Sequence, residues 1–154
     1  MIYLENGATT LLKPKSVYQA SLYALKHYAS PGRGGHKAAM DAAEAVFDCR
    51  VLAAQLFDTQ PDRVVFTMNA THGLNVAIKS LVGPGDRVVV SGFEHNAVMR
   101  PLVAVGADVV IVGRTLFDHA QALMEFEAAI TPETKAVICT QVSHVFGYVL
   151  PVEK

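Results

Sequence analysis

The chain contains no tryptophan and only two cysteines, Cys49 and Cys139, neither in a C-x-x-C spacing. A disulfide framework is thereby excluded. Cys49 falls in a helical pattern and Cys139 in a β-type run, so both are expected as buried thiols rather than nucleophiles. Charge is scarce and balanced: 18% of residues are charged and the net charge is −1. That leaves no electrostatic footprint for nucleic acid or an anionic membrane. No apolar run is long enough to cross a bilayer and no basic-then-apolar leader follows Met1, so a cytoplasmic protein is the default expectation. The six histidines form neither an H-x-x-x-H pair nor a Cys/His cluster, and no metal site is expected. The dinucleotide and P-loop fingerprints, G-x-G-x-x-G and G-x-x-x-x-G-K-[ST], do not occur.

What is present describes a globular chain with one core: 154 residues, 51% of them hydrophobic. Residues 14–28 carry a helical face of Val17, Ala20, Ala24 and Tyr28 behind Pro14, and residues 37–57 carry another, made of Ala39, Ala43, Val46, Phe47, Val51 and Ala54. From residue 62 the rhythm changes. β-Branched runs at 64–67, 87–91, 109–112 and 136–140 alternate with helical segments at 74–81, 97–105 and 120–130. The runs are almost wholly apolar, as in strands covered on both faces, and each connection is long enough for a right-handed crossover. The pattern predicts an α/β fold with a mostly parallel sheet and helices on both faces, preceded by an N-terminal arm and two helices in residues 1–61.

The stretch Phe66-Thr67-Met68-Asn69-Ala70-Thr71-His72-Gly73-Leu74-Asn75 passes from a β-type run into a helical one through small and hydroxyl residues. Unpaired N–H groups and the positive end of the helix dipole would bind a phosphate over Ala70, Thr71 and His72. On these residues alone an ordinary cap formed by Asn69 or Thr71 is an equal alternative. If the strands are parallel, the segments after them share one edge of the sheet. Three of those segments carry a histidine: His72, His95 and His144. Together they favour a ligand needing an anion cradle and an aromatic face, which suits a phosphorylated aromatic cofactor better than a dinucleotide.

Across nearly its whole length the chain resembles the N-terminal part of the class V aminotransferase family, in its cysteine desulfurase and selenocysteine lyase branch. The matching pieces, in order, are Tyr3-Leu4-Glu5-Asn6-Gly7-Ala8-Thr9-Thr10, Ser30-Pro31-Gly32-Arg33-Gly34-Gly35-His36, the stretch Phe66 to Asn75, Gly85-Asp86, Glu94-His95-Asn96 and Val142-Ser143-His144-Val145-Phe146-Gly147. The resemblance implies the large domain of fold-type I pyridoxal 5'-phosphate enzymes, usually homodimers, that convert L-cysteine to L-alanine and carry the sulfur as an enzyme-bound persulfide. It implies that Ala70, Thr71 and His72 cradle the cofactor phosphate, and that His95 stacks on the pyridine ring and serves in proton transfer. His144 would bond the ring hydroxyl, where the family usually has asparagine. Ala8, Arg33 and His36 would lie in the substrate pocket. An amino-acid substrate and a sulfur-acceptor protein are the implied partners.

Several positions depart from the family pattern. Glu5 and Gly7 replace Asp and Ala, Gln141 replaces a frequent histidine, and His144 puts a titratable ring in place of an amide. The family's Schiff-base lysine, ring-nitrogen aspartate and sulfur-accepting cysteine have no counterpart in this sequence, so residues 62–154 are expected as a partial cofactor-binding domain. The 154 residues by themselves are expected to be inactive and to bind the cofactor weakly or not at all. Two alternatives stay open: a non-catalytic binding or dimerisation module on the same fold, and a related selenocysteine lyase or class V aminotransferase.

Overall fold

The computed structural model describes residues 2–4, 6–7 and 9–153. They divide into two compact units, Met1–Phe66 and Thr67–Lys154.

In the first unit, α1 (Lys15–His27) follows Pro14, whose fixed φ suits a helix start, and carries Lys26 in its last turn, a cation that favours the negative end of the helix dipole. None of its residues is buried. The expected face is only half-covered at Ala24 and Tyr28, and the Tyr23 ring packs on His27 and Tyr28 at centroid distances of 4.4 and 5.6 Å. The second helix, α2 (Lys37–Leu56), buries small residues, Ala39, Ala42 and Ala54. Val46 and Phe47, expected on its inner face, are exposed, as is Cys49. The expectation of two buried thiols therefore fails at Cys49, which is exposed on α2. A single 3₁₀ turn, Pro61–Arg63, follows.

The second unit runs α3 (Ala70–Leu81), β1 (Arg87–Ser91), α4 (Asn96–Val105), β2 (Asp108–Val112), α5 (His119–Ala129) and β3 (Thr134–Ile138). The sheet is parallel, in the order β2-β1-β3, with Val89 opposite Val110 on one side and Val137 on the other. Val88, Val89 and Val90 are wholly buried because β1 is central and covered on both faces. Val88 and Val90 join Ile78 and Val82 from the α3 end and Val98 and Leu102 of α4 in one cluster. Val89 points the other way by strand alternation. The chain crosses from β1 to β2 in one direction and from β2 back past β1 to β3 in the other. Right-handed crossovers then place α4 and α5 on opposite faces.

The expected strand at 64–67 is not formed. The run meets no partner strand among the described residues; Val65 and Phe66 stay exposed. Among the described residues, three strands form where four were expected. The helix expected from 74 begins four residues earlier, at Ala70, because Asn69 caps it.

Leu102 is wholly buried within the α4–sheet cluster. Its replacement by alanine removes the side chain and leaves a cavity, and is expected to lower stability by about 2–5 kcal/mol in urea unfolding of the chain.

Candidate functional site

Where the strand order reverses, a crevice opens at the carboxyl ends of the neighbouring strands. Here those strands are β1 and β3, and the segments leaving them carry His95 and His144. The two imidazoles meet edge to face, with centroids 4.9 Å apart and planes at 71°. His95 also caps α4: its Nδ1 accepts from the Ala97 amide at 3.0 Å. In the neutral ring this assigns the proton to Nε2 and leaves that nitrogen for a ligand.

Both segments are fixed at their roots. Glu94 Oε1 accepts from the Ser91 hydroxyl at 2.6 Å and from the Thr140 amide at 2.5 Å. The Phe93 ring makes edge contacts with Phe146 and Tyr148 at 6.0 and 5.3 Å. After β3 the chain turns back on itself: Ser143 N donates to Tyr148 O, Gly147 N to Ser143 O, and Leu150 N to Gln141 O, each at 2.8 Å. Gly147 supplies the left-handed conformation, φ 62°, that closes the turn. His144 rides at its exposed tip beside buried Ser143.

The start of α3 completes the arrangement. Asn69 Oδ1 accepts from the His72 amide at 2.9 Å, and His72 Nδ1 accepts from Met68 N at 3.4 Å. The backbone N and the ring Nδ1 of His72 are thus turned to its own loop. The amides of Ala70 and Thr71, in the first turn, have no acceptor in the helix. Thr71 and His95 line a common cleft of about 410 Å³ between α3 and α4, with Asn75, Lys79, Asn96 and Arg100 along it. The cap uses the His72 amide and leaves those of Ala70 and Thr71 without an acceptor in the helix.

Of the expected site residues, Thr71, His95 and His144 are brought together in the second unit, with Ala70 exposed beside Thr71. Arg33 and His36 belong to the first unit, on the exposed loop before α2, where His36 is the N-cap residue without a side-chain capping bond. Ala8 lies outside the described residues. Sequence reading missed two supports. Glu94 was quoted only as part of a motif. At Gly92 a Cβ would stand 2.7 Å from Arg114 Cγ and 3.0 Å from its Cα, where the outgoing turns of β1 and β2 pass each other. A glycine directly after a buried β-run was the available signal for such an approach.

Cys139 stands half-buried at the end of β3. Burial pushes its thiol up to about 11, the Glu94 carboxylate adding to the effect and the Ser91 hydroxyl opposing it. A thiol that ionises so late is a poor nucleophile at neutral pH.

Residues 2–154 match the family model described as aminotransferase class-V. The chain is 32% identical to a probable cysteine desulfurase of Aeropyrum pernix, over 99% of this chain and 39% of that protein. The solved apo structure of a cysteine desulfurase from Thermococcus onnurineus superposes with a TM-score of 0.79 at 26% identity, over 94% of this chain and 38% of the other. A solved structure of SspA in complex with cysteine superposes at 0.75, also with 26% identity, over 91% and 42%. The chain thus spans about two-fifths of the length of the relatives it matches.

Two outcomes test the site's supports. Gly92→Ala is expected to destabilise the chain by about 1–3 kcal/mol in urea unfolding, since backbone of the neighbouring turn must move. Under iodoacetamide, peptide mapping is expected to find Cys49 labelled first at pH 8, with Cys139 gaining reactivity only as pH rises toward 11.

Proposed function

This chain belongs to the class-V aminotransferase family, and on that premise we propose that it forms the N-terminal part of a pyridoxal-phosphate-dependent cysteine desulfurase-like enzyme. The observation that carries this reading is the meeting of His95 with His144 and of His95 with Thr71 at the reversal of the strand order. An anion cradle and a flat, hydrogen-bonding aromatic surface there suit the two halves of a pyridoxal phosphate molecule. The Ala70 and Thr71 amides and the Thr71 hydroxyl hold the phosphate ester, the His95 ring faces the heterocycle, and His144 reaches its ring hydroxyl. Bound there, the cofactor supplies an electron-withdrawing ring that stabilises negative charge next to the substrate's amino group. His95 holds or moves a proton at Nε2, since its Nδ1 is committed to Ala97.

The substrate in this reading is L-cysteine, the ligand of the similar SspA structure. Its carbon–sulfur bond breaks, alanine leaves, and the sulfur is carried as a persulfide on an enzyme thiol. Cys139 does not suit that role, because its thiol stays protonated until about pH 11. Nor, among the described residues, does a lysine of the second unit suit the aldehyde: Lys135 lies within β3, and Lys79 lies eight residues beyond Thr71, about 12 Å along the helix axis. Ala8, Arg33 and His36 are assigned to the substrate side, and His72 to the phosphate's outer surroundings. The parent enzyme is read as a cytoplasmic homodimer that passes sulfur to an acceptor protein. No helix among the described residues is long and apolar enough to cross a membrane.

A second reading, a non-catalytic binding or dimerisation module, is favoured by one observation: the outer edges of β2 and β3 carry no further strand among the described residues.

Titration with pyridoxal phosphate and, separately, pyridoxal decides between them. The chain is expected to bind the phosphorylated form weakly and in preference. Thr71→Val and His95→Leu should each weaken binding by about tenfold, the scale of one charge-assisted hydrogen bond or a lost stacking face. Borohydride is expected to fix the cofactor to no single lysine at stoichiometric yield. Equal binding of the two forms, or variants without effect, would overturn the cofactor reading.

A further inference from the structure

We propose that Glu94 is a positioning residue: its carboxylate joins the turn that carries His95 to the loop that carries His144, and so sets the surface the histidine pair offers to a ring ligand. The two imidazoles come from segments about fifty residues apart in sequence, rooted on neighbouring strands. Ladder hydrogen bonds hold β1 to β3 as far as Val90 and Ile138. Beyond that point the strands have ended, and the connection between the two segments passes to side chains.

Two kinds of connection are present. The Phe93 contacts with Phe146 and Tyr148 are apolar and fix separation, but ring-edge contacts tolerate sliding and rotation. The Glu94 bonds are directional. One oxygen, Oε1, accepts from Ser91 Oγ on its own segment and from the Thr140 amide on the other. Both are short hydrogen bonds to a carboxylate, a strong kind when the acceptor is ionised. Ser91 is almost wholly buried and also accepts from Phe93 N at 3.3 Å, so the anchor is fixed. Glu94 thereby holds the residue next to His95 and the start of the loop leading to His144 on a single atom. Rotation of either segment would separate the rings.

Both contacts use Glu94 as an acceptor only, which makes its role separable from charge. The amide oxygen of glutamine can accept the same two bonds. Neither bond touches the Nδ1 or Nε2 of His95, so Glu94 acts through placement and not by sharing a proton with the ring.

The proposal builds on the reading of His95 and His144 as ligand-facing, but its test needs no cofactor. In the labelled chain, ring-proton cross-relaxation between His95 and His144 is expected in the wild type and in Glu94→Gln, and is expected to vanish in Glu94→Ala. The Thr140 amide is expected to exchange about tenfold faster or more in Glu94→Ala, the factor for losing one charge-assisted hydrogen bond. Circular dichroism should be unchanged in all three. A ring–ring signal that survives in Glu94→Ala, or that Glu94→Gln fails to rescue, overturns the proposal. If Glu94→Ala does not fold, Ser91→Ala replaces it. With the Ser91 anchor gone, Thr140 exchange should quicken and the ring–ring signal weaken, and wild-type values for both overturn the proposal. Failure of pyridoxal phosphate to bind while the histidine pair and the glutamine rescue persist would sink the cofactor reading and leave the Glu94 role standing.

Discussion

The handedness of two crossovers governs where chemistry can occur in this chain. From β1 the chain leaves to one side through α4 and returns across to the other side through α5, because both connections turn right-handedly. The turn after β1 and the loop after β3, the strand paired directly with it, border one crevice at the carboxyl edge of the sheet. His95 and His144 come from the two segments that border it. Neither histidine is unusual in its own stretch of sequence. Their pairing is a property of topology, realised through the burial of Val88, Val89 and Val90 in the strand that both outer strands must pair with.

The beginning of α3 illustrates how one helix end can serve two purposes. A helix offers several unpaired amides in its first turn, and a side-chain cap consumes only one or two of them. Asn69 takes that of His72 and leaves those of Ala70 and Thr71. The cap is what lengthens the helix back to Ala70, so it presents the remaining donors at a fixed angle. The cap thus fixes the helix end and leaves those donors unpaired within it.

Much of this could be read from residues alone. The three valine-rich runs gave strands, and the alternation with helical segments gave the parallel sheet. The convergence of His95 and His144 followed from parallel strands and the turns after them. The run at 64–67 stays unpaired although the outer edges of β2 and β3 are open among the described residues: β propensity reports suitability for a sheet, not whether the chain is brought to one. Val46 and Phe47 stay exposed although Val46 lies one turn beyond Ala42 on the same side of α2, and what packs against a helix is not carried by its periodicity. Glu94 escaped notice because a carboxylate in a turn looks solvated until its two donors, one of them the amide of Thr140 far along the chain, are seen around it. Gly92 and Arg114 belong to the same class of long-range fact.

The central place of β1 also bears on how the chain reaches its native state. Joining β1 to β2 closes a loop containing little beyond α4, whereas joining β1 to β3 must enclose α4, β2 and α5 together. The entropy of closure rises with loop length, so the first pairing is favoured early and the second follows on a template already built. Until β3 docks, one side of the valine strand is bare, and the His95 turn exists without the loop that confronts it.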